Sequence, residues 1–248
     1  MAESRPPRRP LPSRLVMAIR PRAGAGPVAI ALLGLVVVAL SGDWSPAVNP
    51  EVAKMRLWFI ARTAGTLSFV LVTALVLLGI VLAHPTNRSQ WKASKHVFPW
   101  HKHLALFTLA FVGLHIVALI LDPYAGVGVA GALLPGLSGY RTWEVAVGTI
   151  ALYALLLTGL TARFTGLLPR GRWLTVHRIS IVAFAAAWIH GVTTGTDTAG
   201  LLPLYAVAGA AVVLVAATRY WSPMARSARA EPVSERQLAP RIRFDLWR

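Results

Sequence analysis

The sequence predicts an all-α integral membrane protein built as a bundle of six transmembrane helices, and three observations carry that expectation. Of its 248 residues, 56% are hydrophobic and only 14% charged, whereas a soluble domain has roughly 25% charged residues. Mostly apolar runs recur along the chain, and a helix needs about 20 residues to cross a hydrocarbon layer of roughly 30 Å. Lys and Arg fall mainly between and beyond those runs, as they do in the loops of membrane proteins.

The first span is expected at 27–41 and is the shortest. Before it, residues 1–26 are rich in Arg and Pro and read as a disordered basic cytoplasmic tail. No clear small-residue cleavage site follows the first apolar run, so it reads as a retained helix and not as a signal peptide. Five more spans are expected at 57–83, 100–121, 142–163, 174–192 and 201–219. Asp122 to Arg141 is a long apolar loop rich in Gly, expected to pack as a cap. Residues 220–248 carry Arg, Pro and Glu with no sustained apolar period. They read as a second basic cytoplasmic tail, too short and polar for a catalytic domain. One membrane domain, 27–219, therefore fills the chain.

Charge sets the orientation. Arg5, Arg8, Arg9, Arg14, Arg20 and Arg22 precede the first span, and Arg88, Lys92, Lys95 and Lys102 follow the second. Arg163, Arg170, Arg172 and Arg178 surround the loop between the fourth and fifth spans. All of these segments lie on one side, together with the tail from Arg219. Cytoplasmic loops are the basic ones, so both termini are expected in the cytoplasm of a multi-pass inner or plasma membrane protein. The net charge of +16 is thus explained by a cytoplasmic face bordering membrane lipid. No compact basic and aromatic module supports a nucleic-acid partner. The chain has no cysteine, which excludes disulfides, zinc–thiolate sites, Cys-ligated iron–sulfur clusters and thioether-attached haem. Any metal must be held by other side chains, His first among them.

Four of the seven histidines form two pairs: His101 and His115 in the third span, and His177 and His190 in the fifth. Their spacings, fourteen and thirteen, correspond to about 20 Å along a helix at about 1.5 Å per residue. The two spans run the same way, so His101 shares a depth with His177 and His115 with His190. Two facing imidazoles can fill both axial positions of a haem iron, and two such layers would form a wire across the bilayer. Fourteen residues leave His115 about 40° from the face of His101, but thirteen leave His190 about 140° from that of His177. The fifth span therefore needs haem contact on different flanks, a bend or a π-bulge, and a single-haem state stays open. Ionisable residues in a membrane are costly and usually functional; the competing reading makes the histidines interhelical hydrogen-bond donors. His103 competes with His101 but lies about 120° around the helix from His115. His84 and His96 fall in the cytoplasmic loop region, as ordinary solvated polar residues.

His101, Lys102, His103 and Leu104 followed by His115, then Asp122-Pro123-Tyr124-Ala125, Tyr140-Arg141, Val176-His177 and His190-Gly191 with Thr194-Gly195-Thr196-Asp197, resemble the ferric reductase-like transmembrane domain family. That family includes the membrane halves of NADPH oxidases and metalloreductases and the haem subunit supporting periplasmic methionine sulfoxide reductase. The resemblance covers about residues 55–220 and implies two b-type haems held by His101, His177, His115 and His190. It also matches Arg62, near the outer end of the second span, to a position where members often carry a basic residue. There Arg62 could pair with an outer haem propionate or snorkel to the interface. Arg178, beside His177, has the same two readings.

Larger members append flavin and nicotinamide-nucleotide domains, and no flavin or nicotinamide site is expected here. His84-Pro85-Thr86 follows a span directly and does not lie in a β-barrel; Gly24-Ala25-Gly26 lacks the strand and full glycine pattern of a dinucleotide site. The expected function is transmembrane electron transfer by a di-haem b-type cytochrome, as an oxidoreductase or the haem subunit of one. Its donor would be a separate flavoprotein, soluble reductase or quinol. The alternatives are a haem-free transporter or proton pathway, in which the histidines relay protons, and a scaffold recruiting partners through its tails.

Overall fold

The structure is a computed structural model that describes residues 54–87, 94–164, 166, 168–169 and 172–221. All regular elements among them are helices: α1 (Arg56–Leu82), α2 (Ser94–Leu121), α3 (Gly128–Leu133), α4 (Thr142–Arg163), α5 (Arg172–His177), α6 (Ser180–Thr194) and α7 (Thr198–Trp221). Taking α5 and α6 together, five segments are long and apolar enough to cross a membrane. They match the second to sixth predicted spans. The first predicted span at 27–41, the tail at 1–26 and residues 222–248 lie outside the described residues.

The hydrogen bonding suits lipid. Buried hydroxyls return to their own helices: Ser68 donates to the Ala64 carbonyl at 2.7 Å, Thr73 to Phe69 at 2.7 Å and Thr108 to Leu104 at 2.8 Å. Each satisfies itself without water, which an apolar solvent requires. Val117, Ile150, Val207, Val213 and Leu214 are exposed, as lipid-facing residues of a spanning bundle should be. Trp100, Trp143 and Trp221 stand exposed near helix ends, where interfacial aromatics belong.

Two antiparallel hairpins organise the bundle. α1 packs along α2 and α4 along α5 and α6, while α7 covers α1 and α6; α2 and α6 make at most marginal contact. The main core lies where α1, α6 and α7 meet, around Phe69, Val72, Val76, Phe184, Tyr205 and Val212. Phe69 and Phe184 stack with ring centres 6.1 Å apart, each about midway along its membrane span.

The Asp122–Arg141 loop does pack as a cap. Trp58 of α1 is buried with Ala125, Val127 and Ala132 of the loop, and meets Tyr124 and Tyr140 edge-on at 5.8 and 5.7 Å. Buried Asp122 turns the chain by accepting from the Tyr124 and Ala125 amides at 3.2 and 3.1 Å. The loop defines a capped end of the bundle, where α2 and α6 finish and α1, α4 and α7 begin.

Two boundaries differ from expectation. α2 begins six residues early, at Ser94, and contains Pro99, which forfeits the helical hydrogen bond its amide would make to the carbonyl four residues before it. The fifth span breaks between α5 and α6, where Ile179 donates to Val176 at 2.9 Å and Ile181 to Arg178 at 3.2 Å. These i to i+3 bonds tighten the turn to about three residues, adding about 20° per residue over an α-helix. The break follows His177 immediately and removes part of the angular mismatch with His190.

Candidate functional site

The two His-bearing segments face each other across the gap between α2 and α6. The His101 and His177 rings have centres 6.1 Å apart with planes at 75°, and His115 and His190 are 6.3 Å apart at 74°. A metal about 2 Å from each of two imidazole nitrogens, with each ring centre about 1 Å further back, separates the centres by about 6 Å. Both layers therefore have the separation that one metal between two imidazoles requires.

The nitrogens fit as well. His115 Nδ1 donates to the Ala61 carbonyl of α1 at 2.7 Å, and His190 Nδ1 to the Glu144 carbonyl of α4 at 2.8 Å. A carbonyl only accepts, so in each ring the proton sits on Nδ1 and Nε2 keeps its lone pair. The Thr194 hydroxyl also approaches His190 Nδ1 at 3.1 Å. In the other layer His177 Nδ1 lies 3.4 Å from the Thr158 carbonyl. The buried Nδ1 of His101 has no partner among the described residues.

No group of three or more His, Cys, Asp or Glu side chains among the described residues is arranged around a common point. Each layer thus sets two imidazoles opposite one another, the donor pair that a planar tetradentate ring would need to complete its coordination. Haem is such a group, and the apolar cavity containing His115 and His190 suits it. Phe69, Leu155 and Tyr205 line that cavity deeper in the bundle, and Arg62, Tyr140 and Asp197 lie at its rim.

The remaining sequence candidates fall as follows. Arg62 reaches the rim, where its guanidinium pairs with the Asp197 carboxylate and lies 5.9 Å from the Trp58 ring centre. His103 turns to its own helix, donating from Nδ1 to the Pro99 carbonyl at 2.6 Å, so His101 alone faces His177. His96 and Arg178 are exposed. His84 corrects the expectation of a solvated residue: it is buried and its Nδ1 accepts from the Thr86 amide at 3.2 Å.

Sequence reasoning missed what holds the rings. The carbonyls of Ala61 and Glu144 leave no mark in side-chain chemistry. It also missed the strap at the end of α6, where Arg141 donates to the Thr193 carbonyl and the Tyr140 hydroxyl lies 3.5 Å from the Thr194 carbonyl oxygen. Tyr140-Arg141 and Thr194 stood in the motif, but their meeting depends on tertiary structure.

No curated protein and no solved structure matches the chain. The family model described as the ferric reductase like transmembrane component matches residues 64–188, half of the chain. The match takes in His101, His115 and His177 and ends two residues before His190. The chain belongs to the ferric reductase-like transmembrane component family.

Proposed function

We propose that this protein is a di-haem b-type cytochrome that carries electrons across a membrane, from a separate donor on the cytoplasmic side to an acceptor on the outer side. Family membership supports transmembrane electron transfer in general. The observation that carries the finer reading is the pair of facing imidazole layers, with ring centres 6.1 and 6.3 Å apart. His101 and His177 would hold the inner haem, and His115 and His190 the outer one. Haem supplies one-electron transfer when bound, and the protein sets its ligation, depth and surroundings.

The capped end is assigned to the outer face. Lys95, Lys102, Arg163, Arg172, Arg178 and Arg219 belong to the opposite end, and basic loops are cytoplasmic. Arg62, at the rim of the outer cavity, would turn its guanidinium to a haem propionate, with Asp197 as the competing carboxylate. The donor would be a flavoprotein, a soluble reductase or a quinol. If His115 and His190 together hold the outer haem, the acceptor would be reduced by outer-sphere transfer.

The test is a pyridine haemochrome assay with a reduced-minus-oxidised spectrum on the purified full chain. Two b-type haems per chain are expected. A colourless protein after haem-replete expression would sink the reading and promote a transporter or scaffold.

A further inference from the structure

Each histidine ring sits against the opposite helix of its own hairpin, at a spot defined by two residues four apart. Opposite His115 are the Ala61 carbonyl, 2.7 Å from Nδ1, and Gly65, at which an added Cβ would lie 2.9 Å from that same nitrogen. Opposite His190 are the Glu144 carbonyl, at 2.8 Å, and Gly148, whose added Cβ would come within 2.6 Å of Nδ1. Opposite His101 is Gly79, whose added Cβ would lie 3.3 Å from Cε1, four residues beyond Leu75. Opposite His177 is the Thr158 carbonyl, at 3.4 Å, and the residue four further on is Ala162.

The spacing has a physical cause. A helical Cβ tilts towards the N-terminus, so a side chain covers the turn before its own Cα. The residue at i+4 therefore shields the carbonyl at i from an approaching partner. Glycine at i+4 uncovers that carbonyl and lets a ring from the neighbouring helix reach it. The two carbonyls with well-formed bonds both have glycine at this position, and the one with Ala162 has the longest contact. Gly65 and Gly79 are fourteen residues apart, as are His101 and His115 on the antiparallel partner.

We propose that Gly65, Gly79 and Gly148 are positioning residues: Gly65 and Gly148 each form a seat with the carbonyl four residues before it, and Gly79 leaves the room that the His101 ring occupies, so that each histidine ring is fixed with Nε2 free to hold a haem. The inference rests on the di-haem reading and deepens it by naming what orients the ligands. Gly148 is the tightest seat and Gly79 the loosest.

The experiment uses the full chain, reconstituted with haem, in four forms: wild type, Gly148→Ala, Gly79→Ala and Gly113→Ala. Gly113 is the control, because an added Cβ there meets nothing within 4 Å. The readouts are haem affinity, low-spin ferric electron paramagnetic resonance and midpoint potential, with signals assigned to layers through His190→Ala and His101→Ala. Gly148→Ala is expected to weaken haem binding in the His115–His190 layer by about ten- to a hundredfold, the usual effect of losing an outer-shell partner. It should leave the other layer's signal in place. Gly79→Ala is expected to perturb only the His101–His177 layer, and less; Gly113→Ala should match wild type. Unchanged signals in Gly148→Ala, or equal loss from both layers, would overturn the seats while wild-type haem still supports the function. A wild type without haem would overturn the function itself.

Discussion

The two histidine layers use the same residues at nearly the same spacing, yet they are not equally well built. At the capped end, His115 and His190 both donate to carbonyls, at 2.7 and 2.8 Å. The Arg141 and Tyr140 strap ties down the end of α6 beside them. At the opposite end the one hydrogen-bond partner of His177 among the described residues is the Thr158 carbonyl, at 3.4 Å, and the buried His101 Nδ1 has none among them. The break between α5 and α6 falls beside this second layer. Equal ligands therefore need not mean equal sites: what differs is the backbone behind each ring, and ligand basicity and orientation depend on that outer shell.

The sharpest way to break this comparison is to delete one layer at a time. His115→Ala and His177→Ala are each expected to lower the count from about two haems per chain to about one, as read by pyridine haemochrome. The residual spectra should differ between the two variants; identical residual spectra would mean that the layers are equivalent. Next in size is Arg141→Ala. It removes a cation from the α6 C-terminus, worth about 0.3–1 kcal/mol by its effect on the helix dipole, along with the strap bond. Thermal release of haem should become easier from the His115–His190 layer and stay unchanged in the other. Release from both layers alike would show the strap to be a general brace.

Ala162→Gly tests the weaker layer from the other side. Glycine in a helix interior costs about 1 kcal/mol, so the melting temperature should fall slightly. If the Thr158 carbonyl is thereby uncovered, the His177 imidazole becomes more basic. That favours the ferric state, and the midpoint potential of this layer should move down. A lower melting temperature without that shift would leave Ala162 out of the seat. The smallest expected effect is that of His103→Ala, whose ring is taken up by Pro99: haem content and both spectra should equal wild type. Loss of a haem there would reassign the ligand in α2.

Much of the layered site was legible because helical geometry is regular. His101 and His115 lie fourteen residues apart on one helix face, and that number alone places them at two depths. The pairing of His177 with His190 was legible in depth but not in angle. The tightened turn at Ile179 and Ile181 has no signature in residue type, there being no Pro or Gly at the break. The burial of His84 was invisible for a related reason, since a loop residue's environment depends on which other segments close over it. The fourteen-residue echo of Gly65 and Gly79 did lie open in the sequence. It carried no meaning until the antiparallel partner supplied the rings.

The spacing of the layers also has an electrical consequence. Fourteen residues separate His101 and His115 on α2, about 21 Å at about 1.5 Å each, or roughly two-thirds of a hydrocarbon layer of about 30 Å. With the proposed haems and orientation, an electron passing between the layers would cross that share of the membrane voltage. A full crossing is worth about 2.3 kcal/mol per 100 mV, so this step gains about 1.6 kcal/mol per 100 mV when the cytoplasm is negative. The cell's resting voltage would push electrons outward, and collapsing it with an ionophore would shift the balance of reduction towards the His101–His177 layer.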